Sequence, residues 1–164
     1  QLRQPVVAVL NGMALGGGLE LAATADLRIA EPHARFGLPE TRVGTIPGWS
    51  GTQRLVRRFG GPTVKRLALT GELVDAPKAR DWGLVDEISE PGQAMAQARA
   101  LAAQICERAP IAVELAKQLV NAAEGEDQGA ALEGIASAVT RYTEDGAEGL
   151  ASFRGKRAPL FHNR

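Results

Sequence analysis

The sequence predicts an α/β fold that gives way, beyond Pro91, to an all-helical segment. Three observations predict it. A short apolar run, Pro5-Val-Val-Ala-Val-Leu10, ends at a glycine-rich turn, and an Ala- and Leu-rich run follows. Strand-like and helix-like patterns then alternate as far as Ile88, which favours parallel pairing of short strands. After Pro91 come Ala-rich stretches with helical spacing and no strand pattern. Residues 1–90 and 91–164 are therefore read as two parts.

Residues 5–10 read as a short buried strand, the first of the chain, because the run is apolar and closed by glycines. Residues 19–25 start a helix, being rich in Ala and Leu. Asp26-Leu-Arg-Ile-Ala30 alternates polar and apolar and reads as a strand. Arg35-Phe-Gly-Leu38 is a short extended piece, and Pro39 then opens a short helix from its first position. Residues 43–51 form a shaped loop with glycines and a proline, of the kind that often binds something. Helices follow over 52–59, stopped by Gly60-Gly61-Pro62, and over 63–70, stopped by Gly71. Asp75 caps a helix over 76–82 that ends at Gly83. Residues 84–88 form the last strand. Helices are then expected over 95–108, 111–124, 130–142 and 145–153. They hold few large side chains, so they lean on the α/β part or on another subunit.

Composition narrows the function. The 164 residues carry 19 basic and 19 acidic side chains, a formal net charge of zero. A nucleic-acid protein should present a basic surface, and with 4% aromatics stacking platforms for bases are not expected. No apolar run approaches the ~20 residues of a membrane helix. The lone cysteine, Cys106, can form no internal disulfide, which fits a reducing, cytoplasmic setting; mid-helix among alanines it reads as a small buried residue. Gln1 is not a start methionine, and a strand begins almost at once, so the chain is expected to be part of a longer protein.

The chemistry centres on Asn11-Gly-Met-Ala-Leu-Gly16-Gly17-Gly18-Leu-Glu20. Glycines at a strand-to-helix turn let another molecule approach the backbone. The first helical N–H groups point outward beside the positive end of the dipole, a place for an oxygen that becomes an anion. Glu20 lies one turn further on. The same features also describe a tight turn followed by a favourable dipole partner. No G-x-G-x-x-G pattern and no Lys-Ser/Thr after the glycines is present, so neither a dinucleotide fingerprint nor a P-loop is read. The second candidate is Glu40, between Pro39 and the glycine-rich loop. Two carboxylates that meet can divide acid and base roles, whereas Glu40 alone reads as an ordinary helix-start residue. His33, His162 and the Arg54, Arg57, Arg58 cluster read as surface features.

The run from Pro5 to Ala22, then Ala25-Asp-Leu-Arg-Ile-Ala30, Phe36-Gly-Leu-Pro-Glu40, Gly44-Thr-Ile-Pro-Gly48, Gly51-Thr-Gln-Arg-Leu55, Leu69-Thr-Gly71 and the closing Phe153-Arg-Gly-Lys-Arg157 resemble the enoyl-CoA hydratase (crotonase) family in order and spacing. The resemblance covers the whole chain, which looks like roughly the last three-fifths of a member. It implies a spiral of ββα units lacking its N-terminal part, then a helical segment that builds trimers, often paired into hexamers. It implies a coenzyme A thioester as substrate, with no separate cofactor and no metal. Gly17 matches an oxyanion-hole donor, whose companion donor belongs to a loop outside this sequence, on a companion piece if the chain is a fragment. Glu20 and Glu40 match the two carboxylates of true hydratases. Gly16, Gly48, Trp49, Leu38 and Lys156 match substrate-binding positions, Lys156 being a basic residue that can reach CoA phosphate. Leu38 stands where Gln is frequent and Trp49 where a small residue is frequent, so the acyl pocket is expected to be reshaped. The expected reaction is addition of water to a 2-trans-enoyl-CoA. The alternatives are Δ3,Δ2-enoyl-CoA isomerisation, which needs one base, and an incomplete piece competent only for assembly.

Overall fold

A computed structural model describes residues 2–43, 45–49, 51–123, 139 and 142–164. The chain divides into two compact units: residues 6–100, and residues 1–5 with 101–164. The division at residue 101, rather than at Pro91, has a physical cause. Helix α5 (Ala94–Cys106) begins inside the α/β unit, with Ala94 and Ala98 buried. The buried Glu31 carboxylate accepts the N–H groups of Gly92 at 2.7 Å and Ala94 at 3.0 Å, tying down the start of that helix.

The α/β unit holds two three-stranded sheets. In the first, β1 (Val7–Leu10) pairs in parallel with β3 (Leu27–Ala30), and β3 pairs in parallel with β6 (Glu87–Ile88). In the second, β2 (Met13–Leu15) pairs in parallel with β4 (Arg35–Gly37), and β4 pairs antiparallel with β5 (Leu73–Asp75). Strands β2 and β5 are additions to the sequence reading. The glycine turn therefore follows β2, not the apolar run at residues 7–10, and one pairing departs from the parallel expectation. The last strand shrinks from five residues to two. Strands β1 and β2, one from each sheet, followed by helix α1 (Gly17–Ala22) give the ββα order that the family resemblance implied.

Pro39 opens a 3₁₀ helix, Pro39–Val43, as its fixed φ favours. Beyond the loop a π turn, Gly51–Leu55, runs into α2 (Val56–Phe59), and α3 (Gly61–Thr70) follows. Asp75 caps α4 (Ala76–Asp81) by accepting the Lys78 N–H at 3.0 Å. The core gathers Leu19, Phe36, Leu38, Leu55, Leu67, Leu84 and Val85, all nearly inaccessible. Buried Arg28 crosses this unit: Nη1 donates to the Ala25 carbonyl at 3.1 Å, Nη2 meets Asp86 at 3.2 Å, and the guanidinium lies 5.3 Å from the Phe59 ring centroid.

The second unit contains the C-terminal end of α5, α6 (Pro110–Ala123) and α7 (Glu144–Gly155). The helix expected over 130–142 lies almost wholly outside the described residues. Cys106 is exposed, not buried, because it ends α5 rather than sitting mid-helix. Two α7 carboxylates hold the C-terminal tail. Asp145 accepts the N–H groups of His162 and Asn163, and Glu148 that of Leu160. Among the described residues no helix is long and apolar enough to cross a membrane.

Candidate active site

The glycine turn is built on the β2–β4 pair. Leu15 lies opposite Gly37, and the next N–H, that of Gly16, donates to the Gly37 carbonyl at 2.9 Å. The ladder thus runs to the residue before α1. Gly16 then turns the chain with φ +51° and ψ −124°, a conformation that favours glycine. Its carbonyl accepts the N–H of Glu20 at 3.0 Å, closing the first helical turn. Gly17 opens α1, where backbone N–H groups have no acceptor within the helix.

Glu20 is buried, 3% exposed, on the first turn of α1. Its Oε1 accepts the backbone N–H of Trp49 at 2.9 Å, so the glycine-rich loop is fastened to the helix by the carboxylate itself. Glu40 arrives from the other side. The 3₁₀ turn that carries it is held by Thr41, whose hydroxyl donates to the Ala68 carbonyl at 2.8 Å, and by Arg42, whose side chain packs on Gly71. The Glu40 carboxylate lies on Gly16: a Cβ there would stand 2.7 Å from Oε1 and 3.2 Å from the carboxyl carbon. Glu40 Oε2 is buried without a hydrogen-bond partner among the described residues. A buried carboxylate oxygen so placed is suited to accepting a hydrogen bond from a water molecule or a substrate group.

Trp49 lays its six-membered ring along Gly17, where a Cβ would meet Cε3 at 3.2 Å and Cζ3 at 3.3 Å. The rest of the side chain is open, and Trp49 is 72% exposed. Gly48 is exposed, with only the Ile46 carbonyl near the place of a Cβ, at 3.8 Å. The structure therefore brings Gly16, Gly17, Glu20, Glu40 and Trp49 together, with Gly48 next in the chain.

Leu38 stands apart from this group as a core residue, 0% exposed. The sequence reading placed it with the substrate-binding residues. The two-residue period of extended chain turns it to the same inward side as Phe36. Lys156 lies in the helical unit, exposed, at φ +50° just beyond α7. Of the arginine cluster, Arg58 is engaged in packing: Nη1 donates to the Ala25 carbonyl at 2.8 Å. His33 has a partner the sequence did not reveal, the Asn11 carbonyl, 3.0 Å from Nε2. Sequence reasoning also missed the Trp49–Glu20 bond and the nesting of Glu40 on Gly16. The one signal for the latter was an uninterrupted glycine triplet at the strand-to-helix turn.

The model of the enoyl-CoA hydratase/isomerase family matches residues 1–164. The chain belongs to this family. Similar hydratase/isomerase proteins include the short-chain-enoyl-CoA hydratase of Clostridium acetobutylicum, 42% identical over 158 residues, covering 95% of this chain and 60% of the relative. The (E)-benzylidenesuccinyl-CoA hydratase of Thauera aromatica is 40% identical over 162 residues, covering 96% of this chain and 62% of the relative. The crystal structure of an enoyl-CoA hydratase from Bacillus anthracis superposes with a TM-score of 0.95 at 40% identity, covering 100% of this chain and 64% of that one. The family resemblance read from the sequence is thereby established, and the chain has the crotonase fold of its neighbours. It spans about three-fifths of the length of the curated relatives it matches.

Proposed function

We propose that this chain carries the two catalytic carboxylates of an enoyl-CoA hydratase, which adds water across the double bond of a 2-trans-enoyl-CoA to give a 3-hydroxyacyl-CoA. The observation that carries the reading is the convergence of Glu20 and Glu40, from separate elements, on the Gly16–Gly17 turn. The thioester carbonyl oxygen sits at the Gly17 N–H, with a second donor supplied from outside this chain. As hydroxide adds at the β-carbon, charge develops on that oxygen, and the donors stabilise it where it forms. Glu20 takes a proton from the water, and protonated Glu40 delivers one to the α-carbon. Proton exchange between the two carboxyl groups restores the starting state. Coenzyme A is part of the substrate and no separate cofactor is used. Lys156 is assigned to CoA phosphate, on its own subunit or a neighbouring one, the helical unit builds a homotrimer or a dimer of trimers, and the enzyme works in the cytoplasm.

One observation favours a second reading, Δ3,Δ2-enoyl-CoA isomerisation. Glu20 is already engaged by the Trp49 N–H, whereas Glu40 Oε2 has no hydrogen-bond partner among the described residues, and one base suffices for moving a double bond. Product analysis on the whole protein separates the two. A hydratase converts crotonyl-CoA to the 3-hydroxy product and loses that activity in both Glu20→Gln and Glu40→Gln. An isomerase converts a 3-enoyl-CoA to the 2-enoyl isomer, retains this in Glu20→Gln, and forms no hydroxyacyl product.

A further inference from the structure

Trp49 is the residue on which substrate choice can turn. Its backbone N–H is held by Glu20 Oε1 at 2.9 Å, so the base of the side chain is anchored to the helix that begins at Gly17. One edge of the indole lies over Gly17, in the space where a Cβ on that residue would meet the ring at 3.2 Å. Yet the residue is 72% exposed, so a large part of the indole remains open. An indole costs exposed apolar area, and this one does not close the core, which lies with Leu19, Phe36 and Leu38. No cation is found over this ring among the described residues, in contrast to Trp82, which lies beneath Arg66 and Lys78. The open indole stands directly beside the glycine whose N–H is read as the carbonyl donor.

An aromatic face in that position favours a flat acyl group over a flexible one. Offset stacking with a second π system adds to plain area burial, and a planar group loses little conformational freedom on binding. We propose that Trp49 makes the acyl site selective for thioesters that carry an aryl ring on the acyl group, with an aryl-substituted 2-enoyl-CoA as the preferred substrate class. This rests on the hydratase reading only for the reaction, not for the binding preference.

The test uses the whole protein and two saturated probes that cannot react, 3-phenylpropanoyl-CoA and butanoyl-CoA, with affinities measured by calorimetry. The aryl probe is expected to bind at least about fivefold more tightly, and Trp49→Ala to bring the ratio close to one, as the usual worth of an aromatic pair implies. Trp49→Phe should keep most of the preference, which guards against a folding artefact in the alanine variant. Steady-state kcat/KM for cinnamoyl-CoA against crotonyl-CoA should change in the same sense. A ratio unmoved by Trp49→Ala, or equal binding of the two probes by the wild type, would overturn the proposal. So would a gain for longer alkyl chains in Trp49→Ala with the aryl preference intact, since the indole would then be a steric stop. Selective binding of the aryl probe with no hydration of either enoyl thioester would uphold this inference and sink the hydratase reading.

Discussion

The carboxylate of Glu40 occupies the space that a side chain on Gly16 would need, 2.7 Å from the position of the missing Cβ. The closest neighbour is the carboxylate itself, so a methyl group at Gly16 moves the reactive end of Glu40 first.

Gly16→Ala should therefore act mainly on rate. A displacement of about 1 Å at a reacting group costs on the order of 10²-fold in kcat. Because Gly16 adopts φ +51°, the variant should also lose about 1–3 kcal/mol of stability from backbone strain. Steady-state kinetics and urea denaturation read the two effects separately. Full activity in Gly16→Ala would mean that the carboxylate contact plays no part in turnover.

Glu20→Gln and Glu40→Gln should each reduce hydration by about 10²–10⁴-fold, the usual worth of a positioned acid or base. In Glu20→Gln the new amide oxygen can still accept the Trp49 N–H, so the loop should stay in place and the circular dichroism spectrum should not change. A loss of folded signal in Glu20→Gln would point to a structural rather than a chemical role.

Glu31 should matter to stability and not to chemistry. The N–H of Ala94 and then that of Gly92 hold its carboxyl below the ordinary carboxylate pKa. A depressed folded-state pKa stabilises above the unfolded value, and the contribution disappears as pH falls through the folded one. Glu31→Gln should lower the urea midpoint at neutral pH, and the gap from wild type should close under acid conditions. A gap that does not depend on pH would contradict the role given to the charge.

In the helical unit the bidentate Arg157 guanidinium, helped by the Leu160 N–H, lowers the Glu148 carboxyl to about 2. Its attachment of the tail should thus persist well below pH 4.5 and fail only as pH approaches the folded value. An NMR titration of the Glu148 carboxyl should show this depressed value in the wild type. In Arg157→Ala it should rise toward 4.5, stopping short because the Leu160 N–H remains. An unchanged titration in Arg157→Ala would remove the ion pair as the cause.

Long and strongly patterned elements were legible in the sequence. The apolar run at β1, the alternation at β3, the Asp75 cap and the proline that opens the Glu40 turn all appear where local chemistry puts them. Strands β2 and β5 were not, because each has three residues and gains its identity from pairing with β4. The same distinction governs the site. Glu20 and Glu40 could be picked out as chemical residues from their neighbours in sequence. The Trp49 N–H on Glu20 and the hold of Glu31 on α5 join residues 29 and 61–63 positions apart, and no local pattern announces them.

The pairing of Leu15 with Gly37 has a consequence for how the chain can change with time. Gly16 and Leu38 leave the same rung of one ladder, the first beginning the arm that carries Glu20 and the second the arm that carries Glu40. The two carboxylates are thus addressed by counting residues from a shared rung, not by the length of chain between them. Lengthening the exposed tip at Pro32 and His33 leaves both addresses unchanged. One residue added between Gly37 and Glu40 shifts the second address and separates the pair, although the intervening segment would look almost the same.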